Sequence, residues 1–334
     1  MKILITGASG FVGTELLRFW RSSGHEITGT SHVTPFPMAD CTRVSVDPRQ
    51  RHVETGQKES SISWLLVDDL VSTDWDKIVV GHDVVVHLAA RVHQMNDGPD
   101  AARLYFQTNT EGTRRLAESA QKAGVKRFVF ISTVKAMGEE TSDGATWTED
   151  TPCQPLDAYG ESKRAAEQLL LEMHRQSGFP AVILRPPLMY GPGVKGNMAS
   201  LMHLVESGWP VPVGGIANRR SFLSVSNLAS AIDAVIDHAA AVGQVFLVTD
   251  GIPMSTAQLV AVMGDAIGRK PWIIGFPEII WRLGAKLPFL GSRVRRLTGS
   301  LALSSVRIST EIGWKPPFSM LDTLRETFSA RQKN

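Results

Sequence analysis

The chain has 334 residues, which at about 150 residues per domain corresponds to roughly two units and is ample for a buried core. Apolar residues make up 43% and charged residues 20%, an ordinary globular balance that excludes a disordered chain. The 35 basic and 33 acidic side chains leave a net charge of +2, too little to point to nucleic acid or an anionic membrane as partner.

In chain order, Lys2–Thr6 reads as a short apolar strand ending in glycines, followed by a helix over residues 11–22 that stops at Gly24. Residues 26–30 read as a second strand. Residues 32–61, with Pro35, Pro37, Pro48 and Gly56, read as a long surface loop of the kind that is often functional. Residues 63–67 give a third strand. Residues 83–90 (DVVVHLAA) give a fourth, continuous and β-branched as expected for a strand buried on both faces. A helix over 104–123, a fifth strand over 127–132, a long helix over 158–176 and a sixth strand over 181–185 complete the alternation. The pattern predicts an α/β doubly wound parallel sheet with right-handed crossovers.

After Arg185 proline and glycine become dense (Pro186, Pro187, Gly191, Pro192, Gly193, Gly196), and the alternation gives way to loops and short helices. Residues 186–334 therefore read mainly as a smaller lobe on a main domain of residues 1–185. The segments at about 221–250 are expected to return to the main sheet. Residues 255–267 read as a helix capped by Ser255. Neither a repeat nor a low-complexity tract is present. Arg293, Arg295 and Arg296 read as a solvated cluster. Cys41 and Cys153 sit in no paired spacing, so neither a disulfide framework nor a cysteine zinc site is expected. The opening apolar run is too short for a signal peptide. The stretch over 272–290 is broken by Pro277, Glu278, Arg282, Lys286 and Pro288, short of the roughly 18–20 apolar residues a bilayer span needs. The expectation is a cytoplasmic protein without membrane insertion.

Thr6-Gly7-Ala8-Ser9-Gly10-Phe11-Val12-Gly13 joins the first strand to the first helix. The glycines let the backbone turn sharply beside a pyrophosphate, and the helix start offers unpaired N–H groups to the anion. The plain alternative is a glycine turn without a ligand. Its position directly after the first strand favours a dinucleotide site. The second strand ends Thr28-Gly29-Thr30-Ser31-His32, without the acid that would hold the adenosine ribose of NAD. Ser31 and His32 are expected to donate to a 2′-phosphate, so NADP(H) is favoured, with NAD as the alternative. Asp69 is a candidate for the adenine amino group.

Tyr159 and Lys163 lie four residues apart on one helix face. A lysine beside a phenol favours the phenolate, which makes the tyrosine usable as an acid or base near neutrality. An accidental pair on a solvated helix is the alternative. Ser132 and Thr133 end the fifth strand, where a hydroxyl can bond the reacting oxygen.

Thr6-Gly7-x-x-Gly10-x-x-Gly13, His87-Leu88-Ala89-Ala90, Asn109 with Gly112-Thr113, Ser132-Thr133, Tyr159-x-x-x-Lys163 and Arg185-Pro186 occur in one order. Together they resemble the extended short-chain dehydrogenase/reductases, the NAD-dependent epimerase/dehydratase group, over essentially the whole chain. The resemblance implies a Rossmann domain with a small C-terminal lobe and nucleotide-diphosphate sugars as substrates. It implies a catalytic hydroxyl at Thr133, an acid/base at Tyr159 and a ribose-holding, pKa-tuning lysine at Lys163. Cofactor contacts are implied at Gly7, Gly10, Phe11, Val12, Gly13, Ser31, His32, Asp69, Leu70, Leu88, Ala89, Ala90, Asn109, Ser132, Tyr159, Lys163 and Pro186. Substrate contacts are implied at Thr133, Asn197 and Arg220, whose guanidinium suits a sugar diphosphate. A homodimer is likewise implied.

Departures from that pattern narrow the reaction. Val134-Lys135 follow Thr133 where the 4,6-dehydratases carry Asp-Glu, which argues against dehydration. Leu188 stands where 4-epimerases commonly carry a phosphate-contacting asparagine. The segment Arg91-Val92-His93-Gln94-Met95-Asn96-Asp97 resembles a bacterial polysaccharide subgroup. The first expectation is reduction of a UDP-4-keto-6-deoxy-N-acetylhexosamine. A UDP-hexose or UDP-N-acetylhexosamine 4-epimerase with tightly bound NAD is the alternative. A non-enzymatic NADP-binding regulator and a reductase of a non-nucleotide carbonyl compound are further rivals. Lys135 is either a charge near the substrate or a solvated loop lysine. His87 is expected to end a buried strand and His93 to face substrate, neither with the spacing of a metal site.

Overall fold

The computed structural model describes residues 1–32, 51–53, 61–92, 100–142, 144–284 and 291–332. Cys41, His93, most of the expected 32–61 loop and the side chains of Arg293, Arg295 and Arg296 lie outside the described residues.

The chain opens with β1 (Lys2–Thr6), α1 (Phe11–Phe19) and β2 (Glu26–Ser31), then β3 (Arg51–Val53), β4 (Ser61–Leu66), α2 (Trp75–Val79) and β5 (Val84–His87). Next, α3 (Ala101–Tyr105) runs through a π-helical segment, Phe106–Glu111, into α4 (Gly112–Lys122). β6 (Arg127–Ile131), α5 (Ala158–Ser177) and β7 (Ala181–Arg185) follow. The remainder holds β8 (Leu188–Tyr190), α6 (Gly196–Ser207), β9 (Val211–Gly214), β10 (Phe222–Ser224), α7 (Val225–Asp237) and β11 (Val245–Leu247). It closes with α8 (Thr256–Ala266), β12 (Ile273–Gly275), α9 (Glu278–Gly284), α10 (Gly291–Thr298), α11 (Val306–Ile312) and α12 (Met320–Gln332).

Among the described residues the main sheet has the order β11-β7-β6-β5-β1-β2-β4-β3. All neighbours in it pair parallel except β3, which runs antiparallel to β4 at the edge. The fold is thus the expected doubly wound α/β sheet. Two expectations need correction. The segment read as loop 32–61 contains β3, whose pairing to β4 sequence alternation does not reveal. Of the two segments expected to return, only β11 joins the main sheet, beside β7; β10 pairs with β8 in a separate two-stranded sheet, as β12 does with β9.

The central strands β5, β6 and β7 are buried along their whole length, which explains their continuous apolar runs. One face of the sheet packs with Leu16 and Leu17 of α1, with Trp20 just past its end, and with Leu228, Ile232 and Val235 of α7. The Trp20 indole donates to Asp233 at 2.6 Å, tying these two helices together. The other face packs with Leu116 and Ala120 of α4 and Ala166 and Leu170 of α5. Residues after β7 build their own cluster, with Met198, Met202, Val213, Leu259, Met263 and Phe328 buried. No described helix is long and apolar enough to cross a membrane.

Candidate active site

Parallel strands direct their C-terminal ends to one edge, and the expected site gathers there. Gly7 adopts φ +71, and a Cβ on it would stand 2.9 Å from the Ala89 backbone; one on Gly13 would stand 2.5 Å from Ala8. Only glycine fits either place, so the turn after β1 packs directly against the chain leaving β5. Helix α1 begins at Gly10 with neither a side-chain cap nor an acid in its first turn. Its leading N–H groups therefore remain available to an anion. These features fit the pyrophosphate of a dinucleotide, with Gly7, Gly10, Phe11, Val12 and Gly13 at the turn and Leu88, Ala89 and Ala90 opposite.

Thr133 lies just past β6 in extended backbone and caps a short 3-10 turn, Val134–Ala136, accepting from Lys135 N at 3.2 Å. Helix α5 starts because Asp157 accepts from Gly160 N at 2.7 Å, and it ends at Gly178 in left-handed backbone. A Cβ on Gly160 would collide with the Lys135 carbonyl oxygen. The residue after Tyr159 thus packs the helix start onto the turn that carries Thr133. Burial pushes the Tyr159 phenol up to about 12, reinforced by the Asp157 charge and opposed by a hydrogen bond with the Thr133 hydroxyl. The Thr133 hydroxyl and the Tyr159 phenol are therefore neighbours at this turn. Pro186, buried at the end of β7, accepts from Val134 N at 3.0 Å and fixes the same turn from beneath.

Lys163 is 2% exposed, donates to the Ile131 carbonyl at 2.6 Å and lies 4.0 Å over the Phe130 ring. Burial lowers its pKa to about 7, with Glu167 opposing. The expected lowering of the phenol by this lysine is absent: the ammonium is drawn under β6, and burial governs Tyr159 instead.

Several residues expected to face the cofactor are committed elsewhere. Ser132 donates to Glu167 at 2.6 Å in the interior, so its hydroxyl faces away from the edge. Asn109 grips Arg91, accepting from its N at 2.8 Å and donating to its O at 3.1 Å, and reaches Ser162 at 3.0 Å. It braces the β5 exit against α5. The Leu70 side chain is 2% exposed and sits in the core beside α4. Asp69 folds back so that Oδ1 accepts from Val71 N at 2.6 Å and Ser72 N at 2.7 Å, while Oδ2 accepts from the Ser72 hydroxyl. Ser31 is buried and hydrogen-bonds Ser9 at 2.7 Å. His32 directs Nδ1 at the Val67 and Asp68 carbonyls, 3.0 Å from each.

Toward the lobe, Asn197 is exposed in the first turn of α6. Arg220 donates to the Gly299 carbonyl at 3.0 Å, and its burial lowers its pKa. Lys135 is about one-third exposed and pairs with Asp157 at 2.5 Å and Glu139 at 2.8 Å, which fixes its ammonium at the start of α5. His87 is fully buried between Thr6 at 2.6 Å and Thr113 at 2.9 Å, and burial lowers it to about 3, so it serves structure as a neutral ring.

Sequence reasoning missed three supports. Glu167 is fully buried and receives Ser132, Arg185 (2.8 and 2.7 Å) and Arg164 (3.0 Å), locking the ends of β6 and β7 to α5. Tyr105 meets the Tyr159 ring edge-on at 5.9 Å while Arg91 lies 5.5 Å over its own ring. Asp157 both caps α5 and holds Lys135. Only the last had a signal, an acid immediately before a helix.

The family model described as NAD dependent epimerase/dehydratase matches residues 3–248. A UDP-glucose 4-epimerase of Vibrio cholerae is 38% identical over 331 residues, covering 98% of this chain and 95% of that protein. An N-acetyl-α-D-glucosaminyl-diphospho-ditrans,octacis-undecaprenol 4-epimerase of Escherichia coli O157:H7 is 28% identical over 92% of this chain and 84% of its own. The crystal structure of UDP-glucuronic acid 4-epimerase from Bacillus cereus in complex with NAD superposes with a TM-score of 0.74 at 22% identity, covering 100% of this chain and 99% of that one. With the glycine turn, the hydroxyl and the Tyr-Lys helix converging on one sheet edge, the chain belongs to the NAD-dependent epimerase/dehydratase family of extended short-chain dehydrogenase/reductases.

Proposed function

We propose that the protein interconverts C4 epimers of a UDP-hexose or UDP-N-acetylhexosamine, with Thr133 and Tyr159 at the reacting C4 oxygen. The observation that carries this reading is the convergence of Thr133 and Tyr159 on the turn beyond β6, at the edge that also carries the glycine cradle. The 4-epimerase relatives support the sugar and the reaction. NAD, when bound, supplies the acceptor and donor of the C4 hydride and, while oxidised, a positive charge. Tyr159 exchanges the C4 hydroxyl proton, and Thr133 orients the same oxygen. Lys163, already desolvated beneath the site, holds the ribose. Arg220 and Asn197 belong to the diphosphate side of the substrate.

The 4-ketoreductase expected first from the sequence stands as the second reading, favoured by β2 ending Thr30-Ser31-His32 without an acid. Incubation with UDP-GlcNAc and UDP-glucose, followed by NMR, separates the two. The C4 epimer forming without net change at 340 nm supports the epimerase. Stoichiometric NADPH consumption with UDP-4-keto-6-deoxy-GlcNAc, and inert UDP-hexoses, supports the reductase.

A further inference from the structure

His32 stands at the end of β2, the place where the adenosine ribose of a dinucleotide meets a doubly wound sheet. Its ring is not loose. Val67 N bonds to the Ser31 carbonyl at 3.0 Å, extending the β2–β4 pairing one residue past β4 and bringing the next turn under the imidazole. Nδ1 then lies 3.0 Å from both the Val67 and the Asp68 carbonyl oxygens. A carbonyl oxygen only accepts, so Nδ1 must carry the ring proton. In the neutral ring that leaves Nε2, on the far side from these carbonyls, as a bare lone pair. Among the described residues Nε2 has no hydrogen-bond partner, and the residue is exposed.

The surroundings have the same polarity. Asp68 and Asp69 follow on the turn that holds the ring. Asp69 is kept ionised by its bonds from Ser72 and Val71. Ser31, the other expected donor, is buried and bonded to Ser9 of the glycine turn. An acceptor flanked by carboxylates suits a ribose hydroxyl and repels a phosphate dianion.

We propose that His32 reads the adenosine ribose as a hydrogen-bond acceptor through Nε2, and so selects the free 2′-hydroxyl of NAD(H) over the 2′-phosphate of NADP(H). The histidine performs the task that an acidic residue performs at this strand end in other dinucleotide folds. The cofactor order expected from the sequence is thereby reversed. The inference rests on the reading that this sheet edge holds the dinucleotide.

The test is direct binding to nucleotide-stripped full-length protein at pH 8, by calorimetry, with NADH, NADPH and 2′-deoxyadenosine NADH as probes. Wild type should bind NADH at least about tenfold more tightly than NADPH. It should lose about five- to tenfold when the 2′-hydroxyl is absent, the equivalent of one neutral hydrogen bond. His32→Ala should bind NADH that much more weakly and be indifferent to the 2′-hydroxyl, and His32→Asp should restore the dependence. Tighter binding of NADPH by wild type, or an equal 2′-deoxy penalty in wild type and His32→Ala, overturns the inference while leaving the proposed function standing. Binding of neither dinucleotide overturns both.

Discussion

Replacing Glu167 by glutamine probes the least visible support of the site. The carboxylate is fully buried and accepts from Ser132, from Arg164 and twice from Arg185, which is itself 2% exposed. Burial opposes the Arg185 charge, yet the paired carboxylate more than compensates and the guanidinium is raised above its ordinary range. Glu167→Gln keeps the shape, removes the countercharge and turns an amide N–H₂ toward one set of donors. Leaving a buried guanidinium uncompensated costs about 3–5 kcal/mol. At an unfolding entropy of about 2.1 cal/mol/K per residue, this lowers the melting temperature of a chain this size by about 4–7 °C. Calorimetry on the nucleotide-free protein reads it. The double variant Glu167→Leu/Arg185→Met removes both charges and should regain most of the loss. A Glu167→Gln protein within about 1 °C of wild type, or a double variant less stable than the single one, refutes the reasoning.

Two further outcomes follow from the site geometry. Tyr159→Phe should lower turnover by about 10²–10⁴-fold while dinucleotide binding, followed by calorimetry, is unchanged, because the phenol handles a proton and not the cofactor's phosphates. Lys163, lowered to about 7, binds fewer protons folded than unfolded between about pH 7 and the ordinary lysine range. The nucleotide-free protein should therefore gain stability as pH rises from 7 to 9.5, and Lys163→Met should flatten that rise in urea titrations. A wild-type profile that falls over this window contradicts the buried, desolvated placement.

The sheet was legible because β5, β6 and β7 are buried on both faces and leave unbroken apolar runs such as Val84–His87. The glycine turn and the Tyr159-Lys163 helix were legible because steric demands at Gly7 and helical spacing leave local marks. β3 was missed because a three-residue strand at the sheet edge carries no periodicity. The side-chain partners of Ser132, Asn109, Asp69 and Leu70 were not legible for a different reason. A motif fixes where a residue stands on an element, but the partner of its side chain comes from a distant segment, as Glu167 does for Ser132. Glu167 itself resembles any surface glutamate until Arg185 is seen beneath it. The tautomer of His32 depends on carbonyls 35 and 36 residues away.

A hydride that leaves and returns at one sugar carbon under Thr133 and Tyr159 is the core of the proposed reaction. It is tested most directly with a UDP-sugar carrying deuterium at C4. The epimer recovered by mass spectrometry and NMR should retain the deuterium at C4 and take no hydrogen from solvent, with no such product from Tyr159→Phe. Loss of the label to solvent, or epimer formation by Tyr159→Phe at the wild-type rate, would contradict it.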